Sequence, residues 1–245
     1  MALKPLPTNN AYTVHEILIP SQGKKLRFRP FLVKENKMLM IAQASEDINE
    51  MLETLKAIIQ NCCLEEKTLD VDKLATFDFE YLLVMLRSIS IDQAIDLNVT
   101  CDDPHQGYPE QTRTTQIRLD LSNIEVVGIK DYTTKVKLSD DLYVLMKLPT
   151  IGLLDCIPTH ASFEDDLKRL ARQIDKICTA EEVFDVSEYS TDDIENWLEH
   201  LTEQQLENLV KYFNSIPFCR IKVEWTCPHC GKHNVRWIQG ISHFF

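Results

Sequence analysis

Cys227 and Cys230 stand three positions apart with Gly231 directly behind them, and polar and apolar residues alternate into and out of that turn: FCRIKVEWTCPHCGKHNVRWIQGI. Alternation on both sides predicts two strands. Between them, C-P-x-C-G predicts a tight turn in which glycine takes the left-handed conformation and successive backbone amides point at both thiolates, the knuckle used by structural zinc sites. A thioredoxin-type redox pair instead needs C-x-x-C at the start of a helix that follows a strand, and glycine followed by an alternating strand does not supply one.

A tetrahedral structural site takes four ligands, and no second C-x-x-C follows in the sequence. Candidates for the remaining positions are Cys101 and His105, in what reads as an equivalent knuckle earlier in the chain, or Cys219, His229, His233 and His243. Two readings stay open: a four-ligand zinc site on Cys227, Cys230, Cys101 and His105, or a knuckle that keeps the turn without the metal. Either way zinc is structural, since four protein ligands leave no position for water. Eight cysteines in a chain whose start, MALKPLPTNN, lacks the apolar core of a signal peptide point to reduced thiols. Cys62, Cys63, Cys156 and Cys178 lie in apolar, mostly helix-like surroundings and read as small hydrophobes.

Along the chain, residues 12–19 and 25–31 read as a hairpin around SQGK. Leu32, Val33, Leu39 and Met40, then Ile48, Met51, Leu52, Leu55, Ile58 and Ile59, recur at spacings of three and four, with Ser45 as an N-cap between two helices. A further helix is expected from about Phe77, capped by Thr76, with Phe79, Leu82, Leu83 and Leu86 facing inward. IDLNVTC and TQIRLDLSNIEV read as strands flanking the turn-rich DDPHQGYPEQTRT. A second hairpin, YTTKVKL and LYVLMKL, precedes a short helix and a longer one running to KICTA, capped near Ser162. Two helices each opened by Ser or Thr followed by acids lead to the cysteine knuckle. The order hairpin, helices, strand, knuckle, strand thus occurs twice, over residues 12–127 and 132–245, as a duplication would produce. The fold expected is α+β: two packed halves, 1–129 and 130–245, each a small antiparallel sheet with helices and a zinc-ribbon-like knuckle hairpin.

The net charge of −12 is unevenly placed: residues 1–37 hold seven Lys or Arg against two acids, a local +5, which leaves −17 on the remainder. An acidic body repels phosphate, so a nucleic-acid grip is not expected of the molecule. No apolar run approaches the roughly 18 residues of a membrane span. Only six glycines occur, and no phosphate-cradling glycine loop, G-x-S-x-G elbow or H-E-x-x-H helix is present. Paired acids such as Asp102 and Asp103 or Asp192 and Asp193 fall in loops and helix first turns, where capping and solvation account for them. A binding or scaffold protein without a small-molecule substrate is the expectation, with a zinc-ribbon adaptor for nucleic acid or a polymerase as the alternative. Two stretches are candidate partner contacts, each with an alternative: a solvated edge strand protected by its charges for the first, and a tail folded back into its own core for the second. RFRPFLVKENK places Arg27 and Arg29 to receive an acidic partner, and WIQGISHFF concentrates Trp237, Ile241, Phe244 and Phe245.

The ordered combination LRFRPFLVKENKMLM, MLETLKAIIQNCC, DVDKLATFDFEYLLVMLRSIS, NVTCDD with IRLDLSNIEV, VKLSDDLYVLMKLPT and CPHCGKHNVRWIQGISHFF resembles the baseplate hub proteins of T-even-type contractile-tailed phages over nearly all 245 residues. That family typically carries a fuller cysteine knuckle where this chain has Cys101 followed by DDPHQGYPEQT. The resemblance implies a non-enzymatic structural or assembly role in the tail baseplate hub, in the host bacterial cytoplasm during assembly. Its implied partners are other baseplate hub proteins and the tape-measure protein.

Overall fold

The computed structural model describes residues 12–44, 47–65, 68–103, 113–154 and 163–240. Strands β1 (His15–Ile19) and β2 (Lys24–Phe28) pair antiparallel, Ile17 opposite Leu26. Gly23, at φ +62°, makes their turn. Alternation puts Ile17, Ile19, Leu26 and Phe28 on one buried face. Helices α1 (Val33–Ala44) and α2 (Ile48–Cys62) follow. Asp47 caps α2, its carboxylate accepting from the Asn49 and Glu50 N–H groups; the expected cap, Ser45, lies outside the described residues. Leu55, Ile58 and Ile59 are buried as their spacing predicts, but only Leu39 of the earlier set is, while Leu32, Val33 and Met40 face outward.

Helix α3 (Thr76–Ser90) is apolar on nearly every side, and such a helix belongs in the interior. Phe79, Leu82, Leu83 and Leu86, all fully buried, pack with β1, β2 and α2, while Phe77 and Val84 pack into a second cluster with the strands downstream. Thr76 is the first residue of the helix and not its cap. Ala75 stands at the cap without a side-chain bond, and the Thr76 N–H donates to Pro149 O at 3.1 Å. An Ala75–Thr150 bridge from the second half has taken the place of a capping side chain.

Strands β3 (Ala94–Thr100) and β4 (Thr114–Asp120) form a two-stranded antiparallel sheet. A short 3-10 turn over Leu121–Asn123 then leads to β5 (Glu125–Val127), so the single alternating run expected there is broken in two. Next come β6 (Lys135–Lys137) and β7 (Leu142–Met146), then α4 (Ile151–Leu154) and α5 (Phe163–Gln173). Ser162 and Cys156 lie outside the described residues. The longer helix ends at Gln173, and KICTA belongs to β8 (Ile174–Thr179), followed by β9 (Val183–Asp185). Cys178 is therefore buried in a strand, not a helix. Its neighbours Leu167, Leu170, Ala171, Ile174 and Ile177 keep helical spacing through the junction, and pairing with β7 decides the conformation instead. The sheet runs β6-β7-β8-β9.

Helices α6 (Thr191–Glu199) and α7 (Glu203–Ser215) open with the reciprocal capping boxes Ser190–Asp193 and Thr202–Gln205. They cover that sheet through Ile194, Leu198, Leu209 and Tyr212. Finally β10 (Phe218–Thr226) and β11 (His233–Gln239) form a hairpin whose first strand also pairs with β5, giving the order β11-β10-β5. That sheet crosses the 129/130 boundary. The fold is mixed α+β, built from small antiparallel sheets and helices. Among the described residues no helix is long and apolar enough to cross a membrane.

Candidate metal centre

The hairpins β3–β4 and β10–β11 are built alike at one end. Each has seven paired residues on its first strand, each first strand finishes in threonine, and a cysteine follows: Thr100–Cys101 and Thr226–Cys227. In both, the cysteine N–H closes the loop, Cys101 onto Arg113 O at 2.8 Å and Cys227 onto Lys232 O at 2.9 Å. Packing of the two hairpins through Val99, Leu119, Ile221, Val223 and Trp225 brings these ends together.

The result is a cluster of three thiols, Cys101, Cys227 and Cys230, whose sulfurs all lie within 4.8 Å of one another. Cys101 and Cys227 are buried and Cys230 is exposed. Cys101 Sγ and Cys230 Sγ are 3.7 Å apart. A tetrahedral zinc with bonds of about 2.3 Å separates its sulfurs by about 3.8 Å, so this pair already stands at the length of a tetrahedral edge. The tight turn is as the spacing implied: Gly231 adopts φ +72° and donates its N–H to Cys227 O at 2.9 Å. Burial alone works against a Cys227 thiolate, but the Cys230 and His229 backbone amides directed at its sulfur outweigh that and lower its pKa. For Cys230 the Lys232 amide pulls the same way, while burial and the neighbouring sulfurs of Cys227 and Cys101 leave its pKa raised. Three soft thiolate donors at these separations fit a zinc ion.

Asn234, an inward-facing residue of β11 that spacing did not single out, ties the two arms together. Its Nδ2 donates to Lys232 O at 2.9 Å, and its Oδ1 accepts from the Asp102 N–H at 3.2 Å and from the Cys101 thiol at 3.6 Å. Beside it Arg236 and Asp102 form an ion pair at 2.6 Å, which holds the Asp102 carboxyl below its ordinary pKa. Asp102 directly follows Cys101 in the sequence, the one signal by which this buttress was visible there.

The remaining candidates are scattered. His105, Ile241, Phe244 and Phe245 lie outside the described residues. Trp237 is 44% exposed, carries the Arg220 guanidinium over its ring at 3.8 Å, and borders a groove of about 420 Å³ shared with Leu97, Val99 and Ile238. Arg27 is exposed and paired with Glu65 at 2.8 Å. Arg29 is buried and faces away from solvent, its guanidinium donating to Glu35 at 2.8 Å and to Pro30 O at 3.0 Å. It is engaged internally, and of the two arginines only Arg27 is on the surface.

Fold and cluster together define a small mixed α+β protein in which two thiol-bearing hairpins meet. The chain belongs to the T4 bacteriophage base plate protein family, whose model matches residues 11–245. No curated protein and no solved structure matches it. The family makes it a structural viral protein of the tail base plate, interacting with other base plate proteins.

Proposed function

We propose that the chain is a component of the base plate hub, acting by protein–protein contact with other hub proteins and the tape-measure protein, and that it is built into the hub in the host bacterial cytoplasm. The observation that carries this is the family match along nearly the whole chain. Exposed Arg27 and the aromatic terminus around Trp237, Ile241, Phe244 and Phe245 are the contact residues of this reading. Catalysis has no part in it.

Zinc belongs to the same proposal as a structural clip, held by Cys101, Cys227 and Cys230 with His105 as fourth ligand. Bound there, it would close the junction between the hairpins, adding to the cohesion that the Asn234 bonds and the Arg236–Asp102 ion pair supply. Affinity purification of the tagged chain from infected cells at successive times, with mass spectrometry of sedimenting tail intermediates, tests the role. Co-sedimentation with hub proteins is expected; absence from every tail intermediate, or salt-sensitive binding to nucleic acid in its place, overturns it.

A further inference from the structure

Helix α1 is apolar on both sides. Inward it buries Leu39 and Ala42, together with Glu35, whose carboxylate is taken by Arg29. Outward, Val33 is 86% exposed, Met40 64% and Ile41 55%, with Leu32 at 41% just before the helix. Single exposed apolar residues are ordinary on a protein surface. Here Val33, Lys37, Met40, Ile41 and Ala44 fall at i, i+4, i+7, i+8 and i+11, one continuous stripe about 16 Å long at a helical rise of 1.5 Å per residue. That is the spacing by which helices anchor one another.

The exposed charges on α1 itself, Lys34 and Lys37, are of one sign. Residues 24–44 carry Lys24, Lys25, Arg27, Arg29, Lys34 and Lys37 against Glu35 alone, in a chain of net charge −12. Glu35 is buried, so α1 shows solvent no acid; the exposed Lys34 lies beside the row, its Nζ 3.4 Å from Glu35 Oε1, and the exposed Lys37 stands within it. A second copy of this chain laid on the stripe would bring the same lysines together, which like-charge repulsion opposes. An anionic bilayer attracts helices whose whole polar face is basic. The opposite face of α1 is packed inside, and the rest of the body repels such a surface.

We propose that the outer face of α1 docks an acidic amphipathic helix of a second protein, with apolar residues at i, i+4 and i+7 filling the row from Val33 to Ile41 and Asp or Glu on its flanks meeting Lys34 and Lys37. The base plate reading enters only in where the partner is sought. Met40 suits the site, because its unbranched thioether adapts to an incoming surface.

The experiment places the photo-crosslinker p-benzoylphenylalanine at Asn36, an exposed position on this face, in the full chain produced during infection, and sequences the joined peptides by mass spectrometry. The result expected is a cross-link to an acidic helical segment of another protein. Its yield falls about tenfold or more in Met40→Glu/Ile41→Glu and in Lys34→Glu/Lys37→Glu, the scale of losing an interface anchor. Thermal melting of each variant verifies that it still folds, and the charge-reversal pair leaves the apolar row intact. A cross-link to a second copy of this chain, flotation with phosphatidylglycerol vesicles that the variants abolish, or no cross-link at all overturns the proposal. An acidic helix belonging to a protein outside the tail would uphold the surface and remove the base plate reading.

Discussion

Cys101 Sγ and Cys230 Sγ stand 3.7 Å apart across 129 residues of sequence. Two thiols brought this close by two separate hairpins, with Cys227 completing the cluster, give a definite expectation for metal. Chain purified without chelator should carry about one zinc ion, the stoichiometry of a closed tetrahedral site, and Cys101→Ser should carry almost none. Asn234→Ala leaves the thiols in place but removes the bridge from Lys232 to Asp102, so zinc affinity drops by about 10–100-fold, as for other groups that orient metal ligands. Elemental analysis and competition with a chromophoric chelator read both. Metal-free wild-type protein of native stability would retire zinc as a structural part.

The buried pair Arg29–Glu35 predicts how stability responds to acid. Burial disfavours the Glu35 carboxylate, but the Arg29 guanidinium, together with the Leu32 N–H at 2.9 Å, more than compensates and its pKa is lowered. A lowered folded pKa means that the contribution is present above the unfolded value of about 4.3 and is lost as pH falls through the folded one. Glu35→Gln leaves Arg29 charged and buried without its partner, at a cost of about 3–5 kcal/mol at neutral pH. The same variant flattens the acid limb of the stability curve. Asp78 works in the opposite sense. Burial raises its pKa against the bond from the Ser21 N–H, so its contribution diminishes as pH rises through the folded value. Urea titrations between pH 3 and 7 of wild type, Glu35→Gln and Asp78→Asn check both signs; equal pH slopes in all three would refute them.

Local chemistry was legible where a residue acts on its immediate neighbours. The C-P-x-C-G turn, the Ser190 and Thr202 caps and the inward face of α3 all appear as the sequence implies, and Cys101 meets the knuckle as its position in a second strand-turn-strand suggested. What stayed hidden was decided by distant chain. Thr76 loses the cap to a backbone bridge from residue 150, and Ile174–Thr179 keeps helical spacing yet pairs with β7. Arg29 reads as a surface arginine until α1 folds Glu35 onto it. Asn234 stayed hidden because its contacts with Asp102 and Cys101 form only when the hairpins pack.

Thiol reactivity separates the cluster from the core. Burial pushes the Cys62 thiol up to about 12, leaving a thiolate fraction of roughly one in 10⁵ at pH 7. Cys219 is raised further in the same direction, and its S–H donates to Phe77 O at 3.1 Å. In metal-free protein, iodoacetamide is expected to reach Cys230 first, since it is exposed, and to leave Cys62 and Cys219 unmodified until the chain unfolds globally. Peptide mapping over time gives the order. Modification of Cys62 at the rate of Cys230 in native buffer contradicts the buried assignment.

Trp237 offers a way to tell a docking residue from a core one. Its ring is stacked by Arg220, which in turn pairs with Glu125 on the neighbouring strand at 2.6 Å, so the three residues span the sheet β11-β10-β5 on an exposed surface. Removing a partly exposed cation–π contact costs about 0.5–1 kcal/mol, a melting shift of only about 1–4 °C for a chain of this size. Leu82→Ala, which empties a fully buried position in α3, costs about 2–5 kcal/mol. If Trp237 is a partner contact, Trp237→Ala keeps nearly all of the stability yet reduces incorporation into tail intermediates more than Leu82→Ala does at a temperature where both are folded. A stability loss as large as that of Leu82→Ala, with incorporation falling only in proportion, assigns Trp237 to the fold instead. The measurement needs only differential scanning calorimetry and quantitative mass spectrometry of purified intermediates, because Trp237→Ala removes side chain from the exposed face of β11 and Leu82→Ala removes it from the core.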